Sequence, residues 1–166
     1  MRTPALSAGA VRLREMRPSD EDGYARLLTD PGTFPYIVDD GPIAREEIAR
    51  RIERNREAAE YDSAHYWSIT VDGEFVGYIA LHAPEGPIAS LSYAVLPRHR
   101  RCGYASAAIR AVCEFAGEQF RPETILALAH PENAASVALL RSLGFDSHGV
   151  KMAPRGDRAV FSWNPD

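Results

Sequence analysis

At 166 residues, 45% of them hydrophobic and 25% charged, the chain has the length and composition of one globular domain with room for a substantial core, which excludes disordered, collagen-like and repeat architectures. A net charge of −4 argues against a nucleic-acid binder, which would carry an overall basic balance or a long basic stripe. No run approaches the roughly 20 apolar residues that span a bilayer, and the first ten residues lack the continuous apolar stretch of a secretion signal, so a cytoplasmic protein without a membrane partner is expected. Cys102 and Cys113 are the only cysteines and no Cys/His cluster accompanies them, so neither a bound metal nor a disulfide framework is expected.

In chain order, residues 10–16 alternate, with Val11 and Leu13 against Arg12 and Arg14, as a half-buried strand does, and Pro18 ends it. Ser19, Asp20, Glu21 and Asp22 supply an N-cap and an acidic first turn for a helix reaching about Thr29, stopped by Asp30, Pro31 and Gly32. Residues 33–42 read as a loop whose Phe34 and Tyr36 face a pocket or fold back onto the core. From Ala44 to about Glu60 the pattern is helical, with Ile48 and Ile52 on one face. Glu46 and Arg50, and Glu47 and Arg51, are spaced to pair at i,i+4 on a solvated face.

Three strands follow at 66–71, 74–82 and 89–96, the first two joined by the hairpin signal Asp72-Gly73 and the last two by a turn at Pro84 to Pro87. Residues 104–119 carry one apolar helical stripe, including Ala108, Ile109, Val112 and Phe115, which is core. A strand at 124–130 comes next, then a helix capped by Asn133 and stopped by Gly144. Strand, helix, strand in succession predicts parallel pairing across a crossover. Strands at 147–152 and 158–163, joined through Pro154 to Gly156, complete a single α+β domain over 1–166. The order β-α-α-β-β-β-α-β-α-β-β gives a mixed, mostly antiparallel sheet of about seven strands flanked by four helices.

The segment from Val95 to Ala105 holds the most chemistry. An apolar strand ends there in a basic turn containing Gly103, and a helix begins. The first amides of a helix have no intrahelical partner, the helix dipole adds partial positive charge, and glycine lets the backbone approach an anion. Arg98, Arg100 and Arg101 surround the turn with full charges. The spacing matches neither the G-x-x-x-x-G-K-[ST] loop of nucleoside triphosphate binders nor the G-x-G-x-x-G of dinucleotide binders. A diphosphate of another kind is expected.

Read as V-x-P-x-x-R-x-x-G-x-A (Val95, Pro97, Arg100, Gly103, Ala105), this segment resembles the acyl-coenzyme A signature of the GNAT superfamily of N-acyltransferases. A second segment, Asn133-x-x-Ser136 followed by Leu143-Gly144-Phe145, resembles the N-x-x-S…L-G-F stretch of the same superfamily, closest to the branch that includes ribosomal-protein N-terminal acetyltransferases. The resemblance spans roughly Leu91 to Trp163. It implies transfer of an acetyl group from acetyl-CoA to a primary amine, a protein N-terminus or a small molecule, by direct attack in a ternary complex. It also implies that two strands splay apart around the pantetheine arm, and that a main-chain N–H near Val95 serves as oxyanion donor. The cofactor contacts it implies are Tyr93, Val95, Arg100, Arg101, Cys102, Gly103, Tyr104 and Ala105, joined by Asn133 and Ser136.

The chain departs from the family pattern at three positions. A Tyr often found four residues after the Ser of N-x-x-S, as proton donor to sulfur, is Leu140, and a Glu often found on the central strand is Ser90. Ser136 is the remaining candidate for a hydrogen bond to the thiolate, or else it supports the first turn of its own helix. Glu85, His82, Tyr93 and an ordered water are all candidate bases, and spacing favours none of them. Many members have Gly where this chain has Arg101, a side chain being tolerated if φ stays negative. The missing Tyr and Glu keep an alternative in view, an acyl-CoA-binding sensor of the same fold without turnover. A homodimer through C-terminal edge strands is expected to involve Phe161 and Trp163, aromatics that equally suit the core.

Overall fold

The computed structural model describes residues 1–33, 35, 43–61, 63–152 and 156–165. The expectations for Phe34, Tyr36 and most of the turn at Pro154 lie outside them. Strands β1 (Leu6–Ala8) and β2 (Val11–Glu15) form a hairpin, followed by helices α1 (Glu21–Thr29) and α2 (Arg45–Ala58). Then come β3 (Ala64–Val71), β4 (Glu74–His82), β5 (Ile88–Val95), α3 (Tyr104–Gln119), β6 (Thr124–Ala129), α4 (Ala134–Ser142), β7 (Asp146–Lys151) and β8 (Arg158–Trp163). Among the described residues no helix is long and apolar enough to cross a membrane.

The eight strands form one sheet in the order β1-β2-β3-β4-β5-β6-β8-β7. Only β5 and β6 pair in parallel, as the strand-helix-strand succession predicts. Expectation and structure differ by one strand, β1, which is three residues long and too short to display an alternation. The Asp72-Gly73 turn falls where predicted, and both residues take positive φ, 50° and 80°.

Alternation along the strands divides the core in two. One face packs Trp67, Ile79, Leu91 and Val95 against Ile109, Val112 and Phe115 of α3, with Leu140 of α4. The other packs Tyr78, Ala80, Ala94 and Leu96 against Leu27 and Leu28 of α1 and Ile48 and Ile52 of α2. Phe161 is 1% exposed and belongs to the first cluster, while Trp163 is half-buried and packs against its edge.

Asp20 stands at the N-cap position of α1, within the segment expected to supply it, but its side chain makes no capping bond there. Its carboxylate turns back to accept a bidentate pair from Arg14 at 2.7 and 2.8 Å, the Ser68 hydroxyl at 2.6 Å and the Arg17 amide at 2.9 Å. Burial works to raise the Asp20 carboxyl, but the bonds from Arg14, Ser68 and Arg17 outweigh it and hold the group below its ordinary value. This knot pins β2, β3 and the entry of α1 together beneath α2.

Candidate active site

The site begins with an interrupted ladder. Leu96 N–H donates to Val76 O at 2.8 Å. Bonded and non-bonded pairs alternate along an antiparallel ladder, so Ser92 and Ala94 bond β4 while Tyr93 and Val95 turn their N–H and C=O groups the other way. On that side β6 pairs with β5 only from Ile88 to Leu91, then continues to Ala129 against β8. The strands fork, and main-chain groups of Tyr93 and Val95 face the gap. At Gly77 a Cβ would lie 2.2 Å from Ala94 O, so only glycine lets β4 come this close behind the fork.

A cleft of about 590 Å³ fills the gap on the α3 side, lined from β5 by Tyr93, Ala94 and Val95 and from α4 by Ser136 and Leu139. Its mouth is the basic turn. Gly103 takes φ 79° as N-cap of α3, a conformation open to glycine at no steric cost, and the first backbone bond of the helix runs from Ala107 N–H to Gly103 O at 3.0 Å. The amides of Tyr104, Ala105 and Ser106 are thereby left without intrahelical acceptors, facing the cleft that all three residues line.

The three arginines of the turn take different parts. Arg98 pairs with Glu74 and is drawn away. Arg100 donates through Nε to Val95 O at 3.2 Å and through its terminal nitrogen to Thr33 Oγ1 at 2.6 Å, tying the end of β5 to the loop after α1. Arg101 lines the cleft without an ion pair among the described residues. Its φ is 61°, contrary to the negative value expected for a side chain there. A left-handed L-residue costs roughly 1–2 kcal/mol, which is why glycine suits the position. No carboxylate is among the described residues lining this cleft, so its charge is complementary to a diphosphate.

Deeper in, Ser136 Oγ meets Tyr93 Oη at 2.6 Å, and Asn133 caps α4 by accepting from Ser136 N–H at 3.2 Å. Burial pushes the Tyr93 phenol up against a smaller opposing effect of the Ser136 bond, so Tyr93 stays protonated, a donor and not a base. Leu140 is wholly buried in the core. Cys102 is exposed and does not line the cleft, its thiol lying 3.5 Å from Arg100 O. Glu85 is also outside. It is exposed in the turn before Ile88, and seven residues of strand at about 3.3 Å each put that end of β5 roughly 23 Å from Val95.

On the opposite face of β5 lies a second cleft of about 440 Å³, between the sheet and α1 and α2, lined by Tyr24, Arg51, Arg54, Asn55, Ala58, Tyr66, Tyr78 and Ser92. Ser92 faces this cleft and Tyr93 the first, as neighbouring strand residues must. Ser92 Oγ lies 2.9 Å from His82 Nε2 and also hydrogen-bonds Tyr78. Burial lowers the His82 imidazole below its ordinary value and raises the Tyr78 phenol far above its own.

The family model described as Acetyltransferase (GNAT) domain matches residues 10–146. The chain belongs to the GNAT acetyltransferase family. It is 33% identical over 151 residues to the uncharacterized N-acetyltransferase YoaA of Bacillus subtilis (strain 168), covering 89% of this chain and 85% of that one. Its fold is similar to a GNAT-family acetyltransferase from Bacillus anthracis, with TM-score 0.84 at 20% identity over 98% and 99% of the two chains. It is similar also to Mycobacterium smegmatis RimJ in complex with CoA-disulfide, with TM-score 0.83 at 22% identity over 97% and 86%.

As a GNAT acetyltransferase the protein has an acyl-CoA-binding fold, and the residues expected for the cofactor, apart from Cys102, line one cleft together. Gly32, Thr33, Pro97, His99 and Leu139 line the same cleft without having been expected there. Pro97 and His99 lay inside the quoted motif and were legible as neighbours. Thr33 lines the cleft and bonds Arg100, 67 residues away, and no local signal marks it.

Proposed function

We propose that this GNAT acetyltransferase moves an acetyl group from acetyl-CoA in the first cleft to a primary amine entering from the second, by direct attack in a ternary complex. The observation that carries the reading is that adjacent residues of β5, Tyr93 and Ser92, line one cleft each just where β5 has lost its neighbour. The amides at the start of α3 and the Arg101 guanidinium hold the diphosphate, and the N–H groups of Tyr93 and Val95 stabilise charge on the acyl oxygen. Ser136, backed by the protonated Tyr93 phenol, donates to the departing thiolate. His82, neutral near pH 7 because of burial, accepts the amine proton through Ser92 when its own proton sits on Nδ1.

A protein α-amine titrates near roughly 8 and a lysine near roughly 10.4, so an α-amine asks less of such a base. The fold likeness to a RimL structure described as a ribosomal L7/L12 alpha-N-protein acetyltransferase supports the same choice. A sensor without turnover would need no second opening at Ser92, and the open acceptor side favours the enzyme. The test is mass-resolved turnover of acetyl-CoA with small amines and short peptides, beside calorimetric binding of coenzyme A. Turnover that disappears in Gly103→Asp is expected. Tight coenzyme A binding with no acceptor acetylated would sink the transfer reading, and absence of binding would sink the cradle.

A further inference from the structure

The second cleft has a chemical bias of its own. Its lining presents phenol hydroxyls from Tyr24, Tyr66 and Tyr78, the Asn55 amide and the guanidinium groups of Arg51 and Arg54, and no carboxylate is among the described residues that line it. Burial raises all three phenols, so each remains an O–H. Asn55 Nδ2 donates to the Tyr24 oxygen at 3.3 Å, which leaves the Tyr24 proton to point elsewhere.

Arg51 decides the matter. Its i,i+4 spacing from Glu47 predicts an ion pair on the solvated face of α2, but Glu47 bonds Arg50 at 3.1 Å and Arg54 at 2.8 Å instead. Arg51 turns toward the cleft, half-buried, with no ion pair among the described residues, and its charge acts on the phenols of Tyr24, Tyr66 and Tyr78. A chamber rich in donors and poor in acceptors, with a half-buried unpaired guanidinium, is complementary to an anion.

We infer that the acceptor amine carries a carboxylate, bound by Arg51 with Arg54 at the mouth of the second cleft while the amine reaches Ser92. The inference rests on the acetyl-transfer reading for the amine end, and on the lining alone for the anion end. Two sources offer this chemistry, a free amino acid and a peptide with acidic residues behind its N-terminus.

The experiment compares matched acceptors differing only in charge: an amino acid against its amide, and a peptide beginning Ser-Asp-Glu against Ser-Asn-Gln. The ratio of kcat/KM for the anionic over the neutral partner is read in the wild type, Arg51→Gln and Arg51→Lys. A ratio of about tenfold or more is expected, in keeping with a charge-assisted hydrogen bond. It should collapse toward one in Arg51→Gln and recover in part in Arg51→Lys, and the pair showing it names the source. Binding of the same ligands to the protein is followed by NMR in parallel. Ligand binding that depends on Arg51 without turnover would uphold the anion site and remove the transfer reading. Turnover with a ratio near one, or a ratio that survives Arg51→Gln, would overturn the anion site and leave transfer standing.

Discussion

At the scale of single residues, the site is built from hydroxyls and main-chain groups, with few charged side chains. Under the proposed transfer, the Tyr93–Ser136 pair, bonded at 2.6 Å, would be the proton donor to the departing thiolate. Ser136→Ala should lower kcat about tenfold or more, while calorimetric affinity for coenzyme A changes little. His82→Gln should lower kcat/KM on the order of 10²-fold, the lower end of what a positioned base contributes. The His82 imidazole titrates below 6.5 in the folded protein, so protonation favours the unfolded chain. Its contribution to stability is complete above pH 6.5 and is lost as pH falls through the lower, folded value. NMR titration should find that low value, and urea unfolding should show a pH slope there that His82→Gln flattens. Arg101→Gly relieves a φ of 61° and should raise stability by about 1 kcal/mol while weakening coenzyme A binding.

At the scale of elements, the interrupted ladder depends on how close β4 stands behind β5. Gly77→Ala would place a methyl 2.2 Å from Ala94 O and 2.9 Å from Val95 Cα, both backbone atoms. One strand must move. A loss of about 1–3 kcal/mol in urea unfolding is expected, together with a rise in KM for acetyl-CoA, because the displaced residues carry the Tyr93 and Val95 amides. Asp20→Asn strips charge from a buried carboxylate whose partner Arg14 is 23% exposed, and the weakened bonds should cost about 1–3 kcal/mol in urea unfolding. These elements were unequally visible in the sequence. Alternation and the Asp72-Gly73 turn marked the strands around β5, and the spacing of Gly103 marked the cradle. The second cleft had no such mark, since Tyr24, Tyr66, Tyr78 and Ser92 come from four elements and meet only through tertiary packing. Helical spacing likewise pointed Glu47 at Arg51, whereas Glu47 bonds Arg50 and Arg54.

At the scale of the whole molecule, a ligand lying along the fork would add a bridge between β5, the start of α3 and the start of α4, elements that already pack on one another. Saturation at about 100 times Kd stabilises a fold by roughly 2.7 kcal/mol. At roughly 2–4 °C per kcal/mol for a domain of this size, coenzyme A should raise the melting temperature by about 5–11 °C. The Gly103→Asp variant should show little of that rise.

The two clefts also open on opposite faces of β5, beside the gap left where β6 turns to β8. Neither product then blocks the exit of the other, and no fixed sequence of arrival or departure is imposed on the reaction. Double-reciprocal plots should intersect and product inhibition should be symmetric. The acceptor's size is limited only by what must thread past Ser92, so a short extended tail suffices for a partner of any bulk.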